Sequence, residues 1–194
     1  MAGIAVTAKM RRIAIYYSQL AQFQANQDYG FDLAASLSTQ AVSRLSYEID
    51  TEITQLLIDN APEDMTLTWS ATPGIGVSLT EHYIGFAQLV ARASQVIYAR
   101  TQKFQATYML IASDLLPIVQ FAPGFTASSN ANINGPYLAG TLQGIKVYVT
   151  PNMNSGEFVF GVNQNSMYAS AAVYCPYMPI VPTQLLQFSD GGTT

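Results

Sequence analysis

Residues able to do chemistry are few in this 194-residue chain, and their spacing matters more than their number. His82 is the single histidine, and it follows Glu81 in what the local pattern predicts to be the first turn of a helix. A histidine-based triad needs a serine or thiolate held against the imidazole. The single cysteine, Cys175, stands in a Tyr-Cys-Pro-Tyr context with no basic neighbour in sequence to favour the thiolate. One cysteine also excludes an intrachain disulfide and a thiolate metal cage. Glu48, Asp50 and Glu52 fall on a predicted helix surface with no basic or polar cleft implied, and the Glu63-Asp64 pair is too generic to specify a metal. Pro73-Gly74-Ile75-Gly76 reads as a turn rather than a phosphate loop, because it lacks the convincing pattern of a strand directly before and a helix immediately after that such a loop requires. No G-x-S-x-G is present. These residues point away from catalysis, and no cofactor is implied.

The elements around them are clearer. After Asp28-Tyr29-Gly30, the residues Phe31, Ala34, Leu37, Ala41, Leu45, Ile49, Ile53 and Leu56 recur at steps of three and four. That spacing predicts one amphipathic helix over 31–59, ended by Pro62, with Leu37, Leu45, Ile49 and Ile53 toward a β layer. Ser78 and Glu81 have capping-box spacing, and Tyr83, Phe86, Val90 and Ile97 mark one face of a second helix to about Lys103. Between the helices, Thr66 to Trp69 alternates like a short strand. Upstream, Gly3 to Arg12 reads as extended and Ile13 to Gln27 as helical. Downstream, Thr107 to Ala112 is a continuous apolar run suited to a buried strand, and Ser113-Asp114 can cap a short helical turn before Pro117. Phe125 to Pro136 reads as a loop, while Ile145 to Val149, Glu157 to Val162 and Met167 to Tyr174 read as strands. The order helix, helix, then mostly β predicts an α+β fold without a βαβ repeat.

Charge is distributed unevenly. From Gln105 to Thr194 only Asp114, Lys146, Glu157 and Asp190 are charged, although the stretch is rich in Tyr, Phe, Asn and Ser. Soluble domains average roughly 25% charged residues. A half-chain built from aromatic, amide and hydroxyl groups is either a hydroxyl-rich β domain or a subunit surrounded by copies of itself. The net charge of −4 offers no general attraction to nucleic acid. The apolar runs are too short to cross a membrane, and the N-terminus lacks the apolar core of a signal peptide. Lys9, Arg11 and Arg12 form a small basic cluster, either a solvated face or a contact to an acidic patch of another subunit.

Several segments, in order, resemble the major capsid proteins of T-even-type tailed phages. Asp28-Tyr29-Gly30-Phe31-Asp32-Leu33 followed by Leu37-Ser38-Thr39 is similar to that family's turn and following helix. Gln105-Ala106-Thr107-Tyr108-Met109-Leu110-Ile111-Ala112-Ser113 resembles its buried strand, and Gly140 to Val149 its glycine turn and next strand. Ala171-Ala172-Val173-Tyr174-Cys175-Pro176-Tyr177-Met178-Pro179 resembles its Tyr-Tyr-Ala-Pro-Tyr segment. The resemblance runs over roughly residues 10–185.

It implies the Hong-Kong-97-type fold of tailed-phage and herpesvirus capsids. In that frame 1–12 is the returning strand of the extended loop, 13–79 the peripheral domain with a spine helix over 31–59, and 80–194 the second helix and a β-rich axial and peripheral region. Set against the family pattern, the chain looks truncated at both ends. The implied function is a non-enzymatic major capsid protein that assembles as hexamers and pentamers into an icosahedral head around double-stranded DNA, without sequence-specific DNA binding. Implied partners are copies of itself and decoration, scaffold and portal proteins; no membrane is involved. The implied location is the virion, with assembly in the host cytoplasm. Two other functions compatible with the sequence are a same-fold bacterial compartment shell enclosing a cargo enzyme and, from a different class, a soluble hydrolase or ligand-binding module.

Overall fold

The computed structural model describes residues 7–64, 66–129, 135–164 and 166–181. It is α+β. Helices α1 (Gln19–Tyr29), α2 (Leu33–Asp59) and α3 (Leu79–Thr101) come first, followed by β1 (Tyr108–Ala112), a 3₁₀ turn (Ser113–Leu115) and α4 (Leu116–Phe121). Strands β2 (Phe125–Ala127), β3 (Tyr137–Leu142), β4 (Ile145–Thr150) and β5 (Phe158–Gly161) and a second 3₁₀ turn (Met167–Ala169) complete the order. The chain separates into two compact units, 1–42 with 174–194 and 43–173, with the division falling inside α2.

In the first unit the joint between α1 and α2 is specified by two residues. Gly30 takes the left-handed conformation at φ 65°, and its N–H returns to the carbonyls of Ala25 and Asn26 to close α1. Two residues later the Asp32 carboxylate accepts from the N–H groups of Ala34 at 2.9 Å and Ala35 at 3.3 Å, which opens α2. Helix α2 then runs unbroken for 27 residues, about 40 Å at 1.5 Å per residue. The expected start at Phe31 moves to Leu33 because Asp32 is the cap. Helix α1 is also shorter than expected: Ser18 Oγ accepts from Ala21 N–H at 3.1 Å, so the helix starts at Gln19 and Ile13 to Tyr17 lie outside it. Of the extended stretch expected over Gly3 to Arg12, residues 7–12 form neither helix nor strand, and the remainder lies outside the described residues.

The second unit contains the core. Its sheet has the order β2-β3-β4-β1-β5, with β1 and β4 parallel and the other neighbours antiparallel. β1 lies inside the sheet and is buried on both faces, as its unbroken apolar run requires. Met109 and Ile111 face one side, where they join Phe86 and Val90 of α3, Val119 of α4, Leu142 of β3 and Val147 of β4. Leu110 and Ala112 face the other side, with Met153 and the end of α2 at Leu57 and Ile58. The hairpin between β3 and β4 turns on Gln143 and Gly144, at φ 52° and 84°, so both central residues are left-handed as a type I′ turn demands.

Four expectations fail here for identifiable reasons. Thr66 to Trp69 is not a strand, because the Asp64 carboxylate accepts from both Thr66 N–H and Thr66 Oγ1 and curls the chain into a turn. Met167 to Tyr174 forms a 3₁₀ turn and an isolated bridge between Asn163 and Ser170 instead of a strand. Part of the loop expected over 125–136 is strand β2, paired with β3. The residues expected to face the β layer from α2, Leu37, Leu45, Ile49 and Ile53, are half-buried and belong to neither core cluster. Only Thr54 of α2 is fully buried.

Candidate assembly interface

The residues with chemical potential serve structure. His82 is half-buried, and its Nε2 lies 2.7 Å from the Ser70 carbonyl, which assigns the ring proton to that nitrogen. The imidazole stacks on Trp69 at 4.5 Å between ring centroids, and Trp69 sits edge-on to the buried Phe86 at 5.2 Å. His82 is therefore a clamp for the loop before α3, a role its sequence position alone does not reveal. Cys175 is exposed. Glu48 takes part in a surface pair with Arg44 at 3.8 Å. Asp64 pairs with Arg100 at 2.7 Å. Its carboxyl is held below the usual range, first by the Thr66 hydroxyl, then by the Thr66 N–H, with Arg100 and Arg92 adding to the effect. Among the described residues no three His, Cys, Asp or Glu side chains gather as metal ligands.

One concavity of about 440 Å³ opens on the second unit, lined by Tyr47, Ser113, Leu116, Gly135, Tyr137, Val149 and Pro151. The lining offers hydroxyls and apolar walls but no acid, base or nucleophile pair. The Tyr47, Ser113 and Tyr137 hydroxyls have no carboxylate, imidazole or amine beside them in that lining to activate them.

What stands out is apolar surface without cover. Among the described residues of the first unit only Ala25 is buried, while Met10, Tyr16, Leu20, Phe23, Tyr29, Tyr177 and Met178 are all more than three-fifths exposed. Ile13, Ile15 and Phe31 in the same unit are exposed as well. A segment whose large side chains face outward has no hydrophobic core of its own, and large exposed apolar side chains gathered in one segment mark an interaction surface. The signal in the sequence was the apolar run Ile13 to Tyr17, too β-prone and aromatic to sit comfortably in a helix. Lys9 and Arg12 are exposed beside it and Arg11 is half-buried.

Residues 1–193 match the family model for the major capsid protein Gp23. The chain belongs to the Gp23 major capsid protein family. No curated protein matches it at a significant level. Gp23 membership makes it a structural component of the phage head, located in the virion, and not an enzyme. Membership of a capsid protein family implies self-assembly into a shell. No described helix is long and apolar enough to cross a membrane.

Proposed function

We propose that the chain is a shell-forming subunit that associates as hexamers and pentamers into an icosahedral head enclosing double-stranded phage DNA. The observation that carries this is the first unit, whose described residues bury one alanine and expose a series of large apolar side chains. A shell subunit must bury strips against several neighbours at once, and closed symmetry turns many individually weak contacts into a stable particle. Aromatic and amide side chains fit such contacts, since they give area without the cost of desolvating charge. The net charge of −4 leaves the wall weakly adhesive to the enclosed genome.

In this account the fold is of the Hong-Kong-97 type, α2 is the spine helix, and residues 1–12 are the returning strand of an extended loop. Lys9, Arg11 and Arg12 meet acidic side chains of an adjacent subunit, and decoration, scaffold and portal proteins dock on the assembled wall. Sedimentation velocity over a concentration series tests the proposal. Growth from subunits to large closed particles supports it; a subunit that stays monomeric at every concentration contradicts it.

A further inference from the structure

Strand β5 ends the sheet, and among the described residues no strand pairs with its outer edge. Ala112 N–H donates to Glu157 O at 3.2 Å, which sets the alternation along β5. The backbone groups of Glu157, Val159 and Gly161 turn toward β1, and those of Phe158, Phe160 and Val162 turn outward. The edge is also undefended. Phe158-Val159-Phe160-Gly161 contains neither charge nor proline, the residues that usually keep a strand edge from pairing with another chain.

The chain comes back to this edge a few residues later. Asn163 and Ser170 form an antiparallel bridge, flanked by Gln164 N–H to Ala169 O at 3.1 Å and Ala171 N–H to Val162 O at 2.9 Å. Ser170 Oγ donates to Asn163 Oδ1 at 3.3 Å, as side chains on one face of a strand pair do. Val162 O is one of the outward groups, so these bonds begin a ladder on the open edge of β5. The bridge fixes the register of that ladder, with Ala171 opposite Val162, Ala172 opposite Gly161 and Val173 opposite Phe160. Residues 172–176 nevertheless form neither helix nor strand.

We infer that residues 170–173 close onto 160–163 as a sixth strand, a strap that covers the outer edge of β5. Closing adds the bonds Val162 N–H to Ala171 O, Val173 N–H to Phe160 O and Phe160 N–H to Val173 O. It also sets the exposed Val173 beside Phe160, which packs on the main core, and a β-branched side chain opposite an aromatic one stabilises neighbouring strands. Ala172 falls opposite Gly161, where the Tyr108 ring fills the space of a Cβ, so a small side chain suits that position. The backbone freedom lost and the bonds gained are of similar size, and the strap therefore opens and closes instead of staying locked. All of these residues belong to the second unit of one chain, so the strap does not depend on shell formation.

Amide hydrogen exchange on the subunit, diluted until it is monomeric, reads the strap at Phe160. The wild-type Phe160 amide should exchange at least ~10-fold more slowly than an unstructured chain. Val173→Pro lacks the N–H that reaches Phe160 O and should return that amide to the unprotected rate. Ala172→Pro removes an N–H that points away from β5 and should leave Phe160 protected. Unprotected exchange in the wild type, or equal protection in the two proline variants, overturns the strap and leaves the shell reading standing. Protection that appears only when the chains associate overturns it too, because a second copy is then covering the edge.

Discussion

Ser155 Oγ donates to Asp114 Oδ2 at 2.6 Å, across 41 positions of sequence, and the neighbouring Gly156 N–H donates to the same oxygen at 3.0 Å. Together these bonds tie the turn before β5 to the 3₁₀ turn after β1. The carboxyl of Asp114 is held below its usual range, with the Ser155 hydroxyl as the largest cause. A carboxylate with a lowered folded value contributes stability that is complete above its ordinary value and is lost as pH falls through the folded value. Asp114→Asn should therefore cost roughly 1 kcal/mol near neutrality, a charge-assisted bond discounted for solvent exposure. The difference from wild type should begin to shrink at about pH 4, where the unfolded carboxyl protonates, and should vanish only once pH has fallen below the lowered folded value. Urea midpoints over a pH series check this, and a difference that persists undiminished in strong acid would contradict it.

The core prediction compares two helices. Phe86 of α3 has no exposed surface and belongs to the main cluster, whereas Leu45 of α2 is half-buried and belongs to neither. Phe86→Ala should cost about 3–5 kcal/mol and Leu45→Ala markedly less, about 1 kcal/mol, in urea unfolding of the subunit. Equal losses would move the core back toward α2.

This contrast shows what the sequence could and could not specify. The 3–4 spacing located α2 and α3 well, because periodicity records that one side of a helix is covered. It does not record what covers it. For α3 the cover is the chain's own sheet; for the middle of α2 the apolar stripe stays half-open, and the same letters fit a neighbour's surface equally well. β1 was legible because an uninterrupted Tyr108 to Ala112 run has no exposed side to interrupt it. β2 was not, because Phe125-Thr126-Ala127 lies in a Ser- and Asn-rich stretch and becomes a strand only by pairing with Thr141 and Leu142. Met167 to Tyr174 failed in the opposite sense, since β-prone residues form no strand until their hydrogen bonds reach an edge. The candidate interface was visible only indirectly, in the apolar run Ile13 to Tyr17; the exposure of Met10, Tyr16, Leu20 and Phe23 needed coordinates.

A glycine provides the third prediction. Gly161 of β5 lies opposite Tyr108 of β1, and a Cβ built at Gly161 would overlap the Tyr108 ring. Gly161→Ala should destabilise the subunit by about 1–3 kcal/mol through this overpacking. Adding Tyr108→Ser should recover part of the loss, which a double-mutant cycle would read as a coupling of opposite sign to the single effects. Strict additivity would mean that the ring is not the obstacle.

His82 should behave as a structural residue. His82→Ala removes the bond to Ser70 O and the stack on Trp69, at a cost of about 1 kcal/mol. Because Trp69 is the single tryptophan, its fluorescence emission should shift in the folded variant. Cys175→Ser should leave stability within about 0.5 kcal/mol, as expected of an exposed position. An unchanged Trp69 emission in His82→Ala would count against the stacked clamp.

The basic cluster offers a salt-dependent test of contact between copies. Arg11→Glu/Arg12→Glu should slow assembly most at low ionic strength and leave subunit helicity intact, since rim charges act mainly on encounter and register. Light scattering during assembly over a salt series measures it. Identical rates for the variant and wild type at low salt would remove Arg11 and Arg12 from the interface.

The most direct test of the whole account is cryo-electron microscopy of the assembled particle. The account predicts a closed shell with six-fold and five-fold capsomers in which the side chains of Met10, Tyr16, Leu20 and Phe23 are covered by adjacent subunits. A shell in which those residues face open solvent, or a chain that forms no particle at all, would contradict it.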